Sequence, residues 1–320
     1  MTNFISTVNN WSQKRIPFLF LIDFELQKPL AIKLSDVNPA EILYEVNGFT
    51  NAGCSGNFEK ESLEFKKNPI SLTDYQLKFS KVMRALRQGD SYLANLTIQT
   101  PIQINRTLQD LFFQAKAKYK LCYRNQFLVF SPESFIKIQN GIISSFPMKG
   151  TIDASLPNAK EIILDNPKEK SEHVTIVDLI RNDLSLVATD VTVSRFRYVE
   201  ELKTTDRNLL QVSSEITGKL NTDFSFGNLL MGLLPAGSIS GAPKRKTVEI
   251  IRDAEGEPRG YFTGVFGIFD GINVDSGVMI RYIENTPNGF VYRSGGGITA
   301  QSDLVQEYQE AIDKVYAPVY

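Results

Sequence analysis

A lysine between proline and glycine is the residue of this chain with the clearest chemical potential. Lys149 lies in the run Ser-Phe-Pro-Met-Lys-Gly-Thr, which begins at Ser145 and ends at Thr151. If it is buried, an amine loses its charge readily, and a neutral lysine is a nucleophile or a base. The local pattern by itself favours a solvated surface cation, so the surroundings of Lys149 decide between the two interpretations.

Two pairs of glutamates offer a second kind of chemistry. Glu169 and Glu172 form one pair, and Glu307 and Glu310 form the other. A spacing of three residues places both carboxylates of a pair on one face of a helix. If the two helices faced each other, the carboxylates would suit Mg2+, which prefers oxygen ligands. The pattern alone favours two solvated acidic faces, because such pairs are common on helix surfaces.

Three further side chains have both a functional and a structural interpretation. Glu133 follows a proline and would be a general acid if it were buried, although the pattern favours a turn carboxylate. Arg281 stands inside the apolar run 278–283, where its guanidinium either forms a bidentate ion pair with a carboxylate or points to solvent. Tyr261, between two glycines, donates a hydrogen bond or simply packs.

Two segments of small residues could approach a ligand closely. Residues 234–244 lead into a helix and would expose backbone N–H groups to an anion, and residues 293–297 contain three consecutive glycines. Neither has the order of residues of a P-loop. Both are equally compatible with plain turns.

Composition narrows the class of protein. The 320 residues carry a net charge of -1, and the basic run 244–246 is too short to indicate nucleic-acid binding. No apolar run has the length of a membrane span, and Cys54 and Cys122 do not make a disulfide framework, so we expect a cytoplasmic protein. The single histidine, His173, argues against a Ser-His-Asp apparatus and excludes a multi-histidine zinc site.

The order of elements predicts one large α+β domain, because strands and helices are mixed rather than strictly alternating. Residues 1–65 read as a short, strand-rich N-terminal part of the domain, and residues 66–320 as its catalytic core. Helices are predicted after Ser71 or Thr73, over 108–119, after the N-cap Asn166, following a segment at 209–220, over 244–253 and after Ser302. Strands are predicted over 126–130, 135–139, 142–146, 191–198, 261–269, 276–284 and 289–293.

Taken together and in order, the motifs are far more specific than any one of them. They are Ser-Pro-Glu at 131–133, Pro-Met-Lys-Gly-Thr at 147–151, the run 172–184, the run 235–244, Arg-Gly-Tyr-Phe-Thr-Gly at 259–264, the strand around Arg281 and the segment 295–310. From about residue 74 to 316 the chain resembles the chorismate-utilising enzymes, which include anthranilate, isochorismate and salicylate synthases and component I of aminodeoxychorismate synthase. This resemblance implies a large single-domain sandwich of antiparallel sheets with outer helices, and a requirement for Mg2+.

The resemblance assigns roles to the glutamates. It implies that Glu172 and Glu310 are the nearest metal ligands, and that Glu169 and Glu307 reach the ion directly or through water. The Mg2+ ion would hold the ring carboxylate of chorismate and help the C4 hydroxyl to leave.

The other matched positions are implied to contact the substrate or to move a proton. Arg281 and Tyr261 would clamp the enolpyruvyl carboxylate, helped by backbone near Gly296 and Gly297. Glu133 matches the general acid and Ser238 a hydroxyl near the ring carboxylate. Thr151 and Lys244, which lie within the matched motifs, complete the expected substrate-binding set.

Lys149 distinguishes between members of the family. Aminodeoxychorismate synthases typically carry lysine at this position, whereas anthranilate synthases typically carry alanine. The resemblance therefore implies amination of chorismate at C4, through a covalent Lys149 intermediate, to give 4-amino-4-deoxychorismate, a precursor of p-aminobenzoate and folate. The alternatives are an anthranilate synthase component I, which aminates C2 and releases pyruvate, or a catalytically idle regulatory relative. Gln211 departs from the family pattern, since many members have histidine there.

Ammonia has to come from another chain. One histidine and no Gly-x-Cys-x-Gly elbow leave no room for a glutaminase triad. We therefore expect a separate glutamine amidotransferase subunit in the cell, and the use of free ammonia by the isolated chain.

Overall fold

The computed structural model describes residues 1–53, 62–203 and 208–317. Their strands form two nine-stranded sheets, in which the neighbouring strands pair antiparallel. The helices are α1 (Thr2–Gln13), α2 (Leu72–Arg87), α3 (Leu108–Gln114), α4 (Ala159–Asp165), α5 (Pro167–Ser185), α6 (Phe226–Leu233), α7 (Gly237–Ser240), α8 (Lys244–Glu255) and α9 (Leu304–Asp313).

The first sheet contains strands from both ends of the chain. Its order is β11-β13-β10-β9-β16-β15-β1-β2, with β12 paired to β13. The strands are β1 (Phe18–Ile22), β2 (Leu30–Lys33), β9 (Ser134–Gln139), β10 (Ile142–Ser145), β11 (Met148–Asp153), β12 (Thr189–Lys203), β13 (Asn208–Lys219), β15 (Val265–Phe269) and β16 (Val274–Val278).

The second sheet has the order β14-β6-β18-β17-β8-β7-β3-β4, with β5 paired to β6. Its strands are β3 (Ile42–Val46), β4 (Phe49–Thr50), β5 (Phe65–Lys67), β6 (Leu93–Ile104), β7 (Tyr119–Tyr123), β8 (Phe127–Ser131), β14 (Gly241–Ala242), β17 (Tyr282–Thr286) and β18 (Gly289–Ile298).

Strand β1 shows how the layers are built. Its residues alternate between two cores, as the period of two in a strand requires. Phe18 and Phe20 pack into a core that also holds residues of α1, α5 and α6, whereas Leu19 and Leu21 pack into a core shared with strands of the second sheet. Helices α2, α3 and α9 cover the other face of the second sheet. The protein is therefore a sandwich of two sheets with helices outside, as the resemblance implied.

The N-terminal part differs from its expected structure. Residues 2–13, expected to be strand-rich, form helix α1, which buries Phe4 and Val8 at a spacing of one helical turn. The strands that follow, β1 to β4, belong to the two sheets of the sandwich. Residues 1–65 are thus interwoven with the core, and Cys54 lies outside the described residues.

Other differences concern the ends of elements. Ser71 caps α2 and the side chain of Asn166 caps α5, as expected. The helix expected over 108–119 ends at Gln114, and the segment 209–220 is the long strand β13. Asp303 rather than Ser302 caps α9, while the Ser302 hydroxyl donates to the Glu307 carboxylate at 2.7 Å.

Among the helices of the described residues, none combines the length and the apolar character that crossing a membrane requires.

Candidate active site

A polar cavity of about 440 Å³ is lined by strands of both sheets, by helices α5, α7 and α9, and by the connections between them. It brings together most of the residues that the sequence singled out. They are Glu133, Lys149, Thr151, Glu169, Glu172, Ser238, Arg281, Gly296, Gly297, Glu307 and Glu310. Segments separated by more than half of the chain therefore meet at one site.

Lys149 enters the cavity from β11, next to an irregularity in the strand. The pairing of β11 with β13 shifts its register between Lys149 and Thr151, and Gly150 has a φ of +79°. A Cβ atom at Gly150 would lie 3.0 Å from Oε2 of Glu169, closer than ordinary contact. Glycine is required here both for its backbone conformation and for the approach of that carboxylate.

Carboxylates surround the Lys149 amine. Its Nζ atom lies 3.2 Å from Oε2 of Glu172. Burial opposes the charge of the amine, but the carboxylates of Glu172, Glu310 and Glu169 outweigh burial, so the pKa of Lys149 is raised above its ordinary value. Burial alone favours the neutral amine, as the sequence led us to expect, whereas the three carboxylates favour the ammonium form.

Glu133 lies on the connection between β8 and β9 and is held by a serine of α7. The Ser238 hydroxyl donates to Oε1 of Glu133 at 2.5 Å. Burial raises the pKa of Glu133, although the Ser238 hydrogen bond and the positive charges of Arg281, Lys149 and Lys314 act in the opposite direction. A carboxyl whose pKa is raised holds its proton more readily than an ordinary glutamate, which is the property required of a general acid.

The two glutamate pairs face the same cavity from α5 and α9. A Cβ atom at Gly296 would lie 3.5 Å from Oε1 of Glu310 and 3.6 Å from Oε2 of Glu307, so the α9 pair points at the backbone of β18. On the other side, Glu169 approaches β11 at Gly150. The solvated-surface interpretation of these pairs is wrong, because all four carboxylates line the cavity.

The donor set has the chemistry of a Mg2+ site, since it offers several carboxylate oxygens in one polar cavity. Two of the carboxylates contact ammonium groups: Glu172 contacts Lys149 at 3.2 Å, and Glu310 contacts Lys314 at 2.6 Å. Within residues 1–53, 62–203 and 208–317, no three acidic, histidine or cysteine residues are gathered closely enough to hold a metal ion. The residues present therefore fit the ion in type, and would have to draw closer to hold it.

Arg281 lies at a point where the chain passes from one sheet to the other. The strand expected over 276–284 is interrupted: β16 ends at Val278 in the first sheet and β17 starts at Tyr282 in the second. Arg281 itself has a φ of +54°, which is uncommon for a residue other than glycine. Its guanidinium lies over the ring of Tyr316 at 5.5 Å and donates to the Tyr316 hydroxyl at 3.4 Å. This connection places the guanidinium in the cavity.

Two expected substrate contacts lie elsewhere. The Tyr261 hydroxyl donates to the backbone carbonyl of Lys28 at 2.7 Å, and its ring packs against Phe127. The next residues of the same turn, Phe262 and Thr263, line the cavity instead. The expected cavity position of Tyr261 is not found, because the turn directs its side chain toward Lys28 and the next two residues toward the cavity.

Lys244 is also outside the cavity lining. Its Nζ atom contacts Oδ2 of Asp183 at 2.8 Å and the carbonyl of Leu233 at 2.7 Å. It thereby links the start of α8 to α5 and to the end of α6. The expected substrate contact of Lys244 is replaced by a structural ion pair.

Lys314, Asn95 and Ser294 are among the cavity residues that sequence reasoning missed. Lys314, four residues after Glu310, donates to Glu310 and to the carbonyl of Gly295 at 2.9 Å. Asn95 and Ser294 each have a buried side-chain oxygen without a hydrogen-bond partner within the described part of the chain. The spacing of Lys314 from Glu310 was the available signal, because residues four apart share a helix face.

Gln211 lines the cavity from β13, where its pairing partners are Thr151 of β11 and Glu200 of β12. His173, beside Glu172, is buried and contacts the Ser214 hydroxyl through Nε2 at 2.7 Å. Burial, with smaller effects of Arg197 and Lys149, lowers the pKa of His173 to about 4. The single histidine is therefore a neutral residue of the protein interior at physiological pH.

Comparison with known proteins agrees with this geometry. The sequence profile of a family described as chorismate binding enzyme matches residues 26–319. An uncharacterized PabA-like protein of Pasteurella multocida is 49% identical over 318 residues, covering 99% of this chain and 98% of that protein.

Two relatives with named activities are more distant. Aminodeoxychorismate synthase component 1 of Klebsiella aerogenes is 31% identical over 266 residues, which cover 77% of this chain and 57% of that protein. Anthranilate synthase component 1 of Acetivibrio thermocellus is 31% identical over 283 residues, which cover 83% of this chain and 56% of that protein. The chain thus spans little more than half the length of each of them.

The fold is shared with a solved structure. The menaquinone-specific isochorismate synthase of Escherichia coli superimposes with a TM-score of 0.74 over 98% of this chain and 80% of that chain, at 14% identity.

Proposed function

This chain belongs to the family of chorismate binding enzymes, and from that premise we propose that it aminates chorismate at C4 to give 4-amino-4-deoxychorismate. The observation that carries the proposal is the presence of Lys149 and Glu133 in one cavity, the first a nucleophile and the second a partly buried acid. C4 amination needs both a group that activates C4 by attack at C2 and a proton for the departing hydroxyl. Lys149 and Glu133 supply these two functions.

In the first step, the Nζ atom of Lys149 forms a bond to C2 of chorismate, both ring double bonds shift by one position, and the C4–O bond breaks. Attack requires the neutral amine, so Lys149 first gives up a proton. Oε2 of Glu172, 3.2 Å from Nζ, is in position to take it. Glu133 gives its proton to the departing hydroxyl, which leaves as water.

In the second step, ammonia forms a bond to C4, both ring double bonds shift back, and the C2–N bond to Lys149 breaks. The amine of Lys149 leaves with the electron pair of that bond and recovers its proton from Glu172. The ammonium of the product gives one proton back to Glu133. The balance is chorismate plus ammonia to aminodeoxychorismate plus water, and the enzyme returns to its initial state.

Glu172, Glu310, Glu169 and Glu307 are the residues that would hold Mg2+. When bound, the ion would bind the ring carboxylate of chorismate and stabilise the charge that develops as the C4 hydroxyl departs. Arg281 and Lys314 supply two cationic groups in the same cavity, which suit the second carboxylate of the substrate.

Ammonia would be delivered by a partner. The relatives named as aminodeoxychorismate synthase are themselves called component 1, and a second component in such a pair is a natural source of ammonia. We propose a separate glutamine amidotransferase subunit for this chain. An assay of the purified chain with glutamine as the sole nitrogen source should give little product, and efficient turnover would refute the need for a partner.

Anthranilate synthesis is the second candidate, because a named anthranilate synthase component 1 matches the chain at the same 31% identity. The two activities differ at one atom of the substrate. Ammonia at C2 leads to loss of pyruvate, whereas ammonia at C4 leaves the enolpyruvyl group in place. Lys149 favours C4, because an amine bound at C2 excludes ammonia from that carbon.

One experiment separates these functions. The pure chain is incubated with chorismate, Mg2+ and ammonium, and the product is identified by mass spectrometry, with a parallel assay for pyruvate. Aminodeoxychorismate without pyruvate is the expected result. Anthranilate with pyruvate would overturn the proposal, and a chain that binds chorismate without converting it would be an idle relative.

A further inference from the structure

A buried ion pair outside the residues assigned so far lies directly behind the cavity. Glu255 is the last residue of α8, and Arg259, four residues later, is the first residue of the turn 259–264. Their side chains are only 3% and 2% exposed, and Nη2 of Arg259 lies 2.6 Å from Oε1 of Glu255. Moving two charged side chains out of water costs free energy, so the presence of this ion pair in the protein interior needs a physical explanation.

The guanidinium of Arg259 uses every donor that it has. Nε donates to Oε2 of Glu255 at 2.9 Å, and Nη2 donates to Oε1 of Glu255 and to the backbone carbonyl of Asn95, each at 2.6 Å. Nη1 donates to the carbonyl of Ile239 at 3.0 Å and to the hydroxyl of Thr263 at 3.2 Å. An arginine has five N–H groups, so none is left unpaired.

The groups that Arg259 binds belong to three walls of the cavity. Asn95 is on β6, Ile239 is on α7, and Thr263 is in the turn that precedes β15; all three residues line the cavity. Glu255 extends the link along β6, since its Oε1 atom accepts from both the backbone N–H and the hydroxyl of Thr97 at 2.8 Å.

The contact with α7 leads to the proposed acid. Ile239 follows Ser238, whose hydroxyl donates to Glu133 at 2.5 Å. Helix α7 has only four residues, so it has few hydrogen bonds of its own to fix its place. A short helix held through one carbonyl by a rigid, fully paired guanidinium keeps Ser238, and with it the Glu133 carboxyl, in a defined position.

We propose that Arg259 and Glu255 are positioning residues that hold β6, α7 and the 259–264 turn in register around the substrate. This proposal depends on the proposed function only because the amination of chorismate is the reaction in which its effect is measured. A buried ion pair stabilises a fold little better than apolar side chains of similar volume. The role of the Arg259–Glu255 pair in this protein is to fix the geometry of the cavity walls. Removal of the pair should therefore lower catalytic activity more than the stability of the fold.

The test compares two buried pairs. The variant Arg259→Met/Glu255→Met removes both charges of the positioning pair. The matched control, Lys120→Met/Glu45→Met, removes an ion pair of 2.9 Å that is also largely buried. The other hydrogen-bond partners of Lys120 among the described residues, the carbonyls of Phe112 and Ala115, are not part of the cavity lining. For both variants and the wild type, the measurements are the melting temperature, chorismate affinity by calorimetry, and kcat and KM with ammonium.

We expect both double variants to fold, and kcat to fall at least about 100-fold in the Arg259/Glu255 variant alone, the loss that a displacement of about 1 Å can cause. Arg259→Lys, which keeps the charge but offers fewer donors, should lose an intermediate amount of kcat at an almost unchanged melting temperature. Wild-type kcat in either of these folded variants would overturn the proposal, as would an equal loss in the control pair.

The comparison of variants still tests the role of Arg259 if the proposed function is wrong. Should the wild type convert chorismate into another product, the C4 assignment fails, but the comparison of kcat for that product still tests Arg259. If the double variant does not fold, Arg259→Lys decides, because this substitution leaves a cation beside Glu255.

Discussion

Two lysines of the cavity make similar contacts and yet differ in the direction of their pKa. Lys149 contacts Glu172 at 3.2 Å and Lys314 contacts Glu310 at 2.6 Å. Carboxylates outweigh burial at Lys149 and raise its pKa, whereas burial, with the positive charges of Arg281 and Lys149, outweighs Glu310 and lowers the pKa of Lys314. The two pKa values shift in opposite directions because the charged groups around each ion pair differ. These groups divide the cavity into an anionic side around Lys149 and a cationic side around Lys314 and Arg281.

This division matches the substrate that we propose. The cationic side suits a free carboxylate, and the anionic side suits a metal ion and an amine. Glu133 lies within reach of the charges of both sides, yet burial dominates and keeps its pKa raised. Substitutions on the anionic and on the cationic side of the cavity should therefore have different effects on kcat and KM.

Removal of the amine on the anionic side should abolish C4 amination. Lys149→Ala is expected to lose at least about 10³-fold in kcat, because the proposed covalent intermediate needs the Lys149 amine. The rate of aminodeoxychorismate formation with ammonium measures this loss, and the product mixture should be checked for material aminated at C2. Unchanged C4 amination would remove Lys149 from the mechanism.

Glu133→Gln should lower kcat by about 10² to 10⁴-fold, the usual contribution of a general acid. The wild-type rate should fall as pH rises through the raised pKa of Glu133, since the acid must carry its proton to act. A pH–rate profile measures both effects, and this descending limb should be missing in Glu133→Gln. An identical profile in the two proteins would assign the limb to another group.

Replacement of the lysine on the cationic side should weaken binding rather than abolish chemistry. Lys314→Met is expected to raise KM for chorismate about tenfold, the value of one hydrogen bond to a charged group. Its effect on kcat should be much smaller than that of Lys149→Ala. If the two variants lose the same amount of kcat, the division of the cavity into two sides does not describe its function.

Tyr261→Phe should have the smallest effect. The Tyr261 hydroxyl donates to the carbonyl of Lys28 and does not line the cavity, so kcat and KM should stay within about twofold of wild type, with a loss of about 1 kcal/mol in the free energy of unfolding. Steady-state kinetics and denaturant unfolding measure these quantities. A large rise in KM would instead show that Tyr261 contacts the substrate, as the resemblance implied.

The sequence predicted the parts of the site that depend on local periodicity or on motif order. The glutamate pairs lie on α5 and α9 as their spacing of three required, and Asn166 caps α5. The resemblance brought Lys149, Glu133 and Ser238 together correctly, because the order of their motifs reflects one shared fold.

Features set by long-range pairing could not be predicted. The apolar run 278–283 reads as one strand, yet it divides at Arg281 because its two halves pair with different sheets. Likewise, the choice of Phe262 over Tyr261 as a cavity residue depends on the path of a turn whose backbone N–H groups at Arg259 and Gly260 donate to the distant Glu25 carboxylate. Period and composition contain no information on such contacts.

The irregular strand at Gly150 also bears on how such enzymes can diversify. The backbone there favours glycine, because a positive φ and the closeness of Glu169 would strain any other residue. Residue 149 is under no such restriction, since only its side chain enters the cavity. A change of side chain at position 149 could therefore alter the reaction while the strand, the carboxylates and the substrate pocket stay as they are. Descendants of one ancestral gene could acquire different products by single substitutions at this position, provided that the neighbouring glycine is kept.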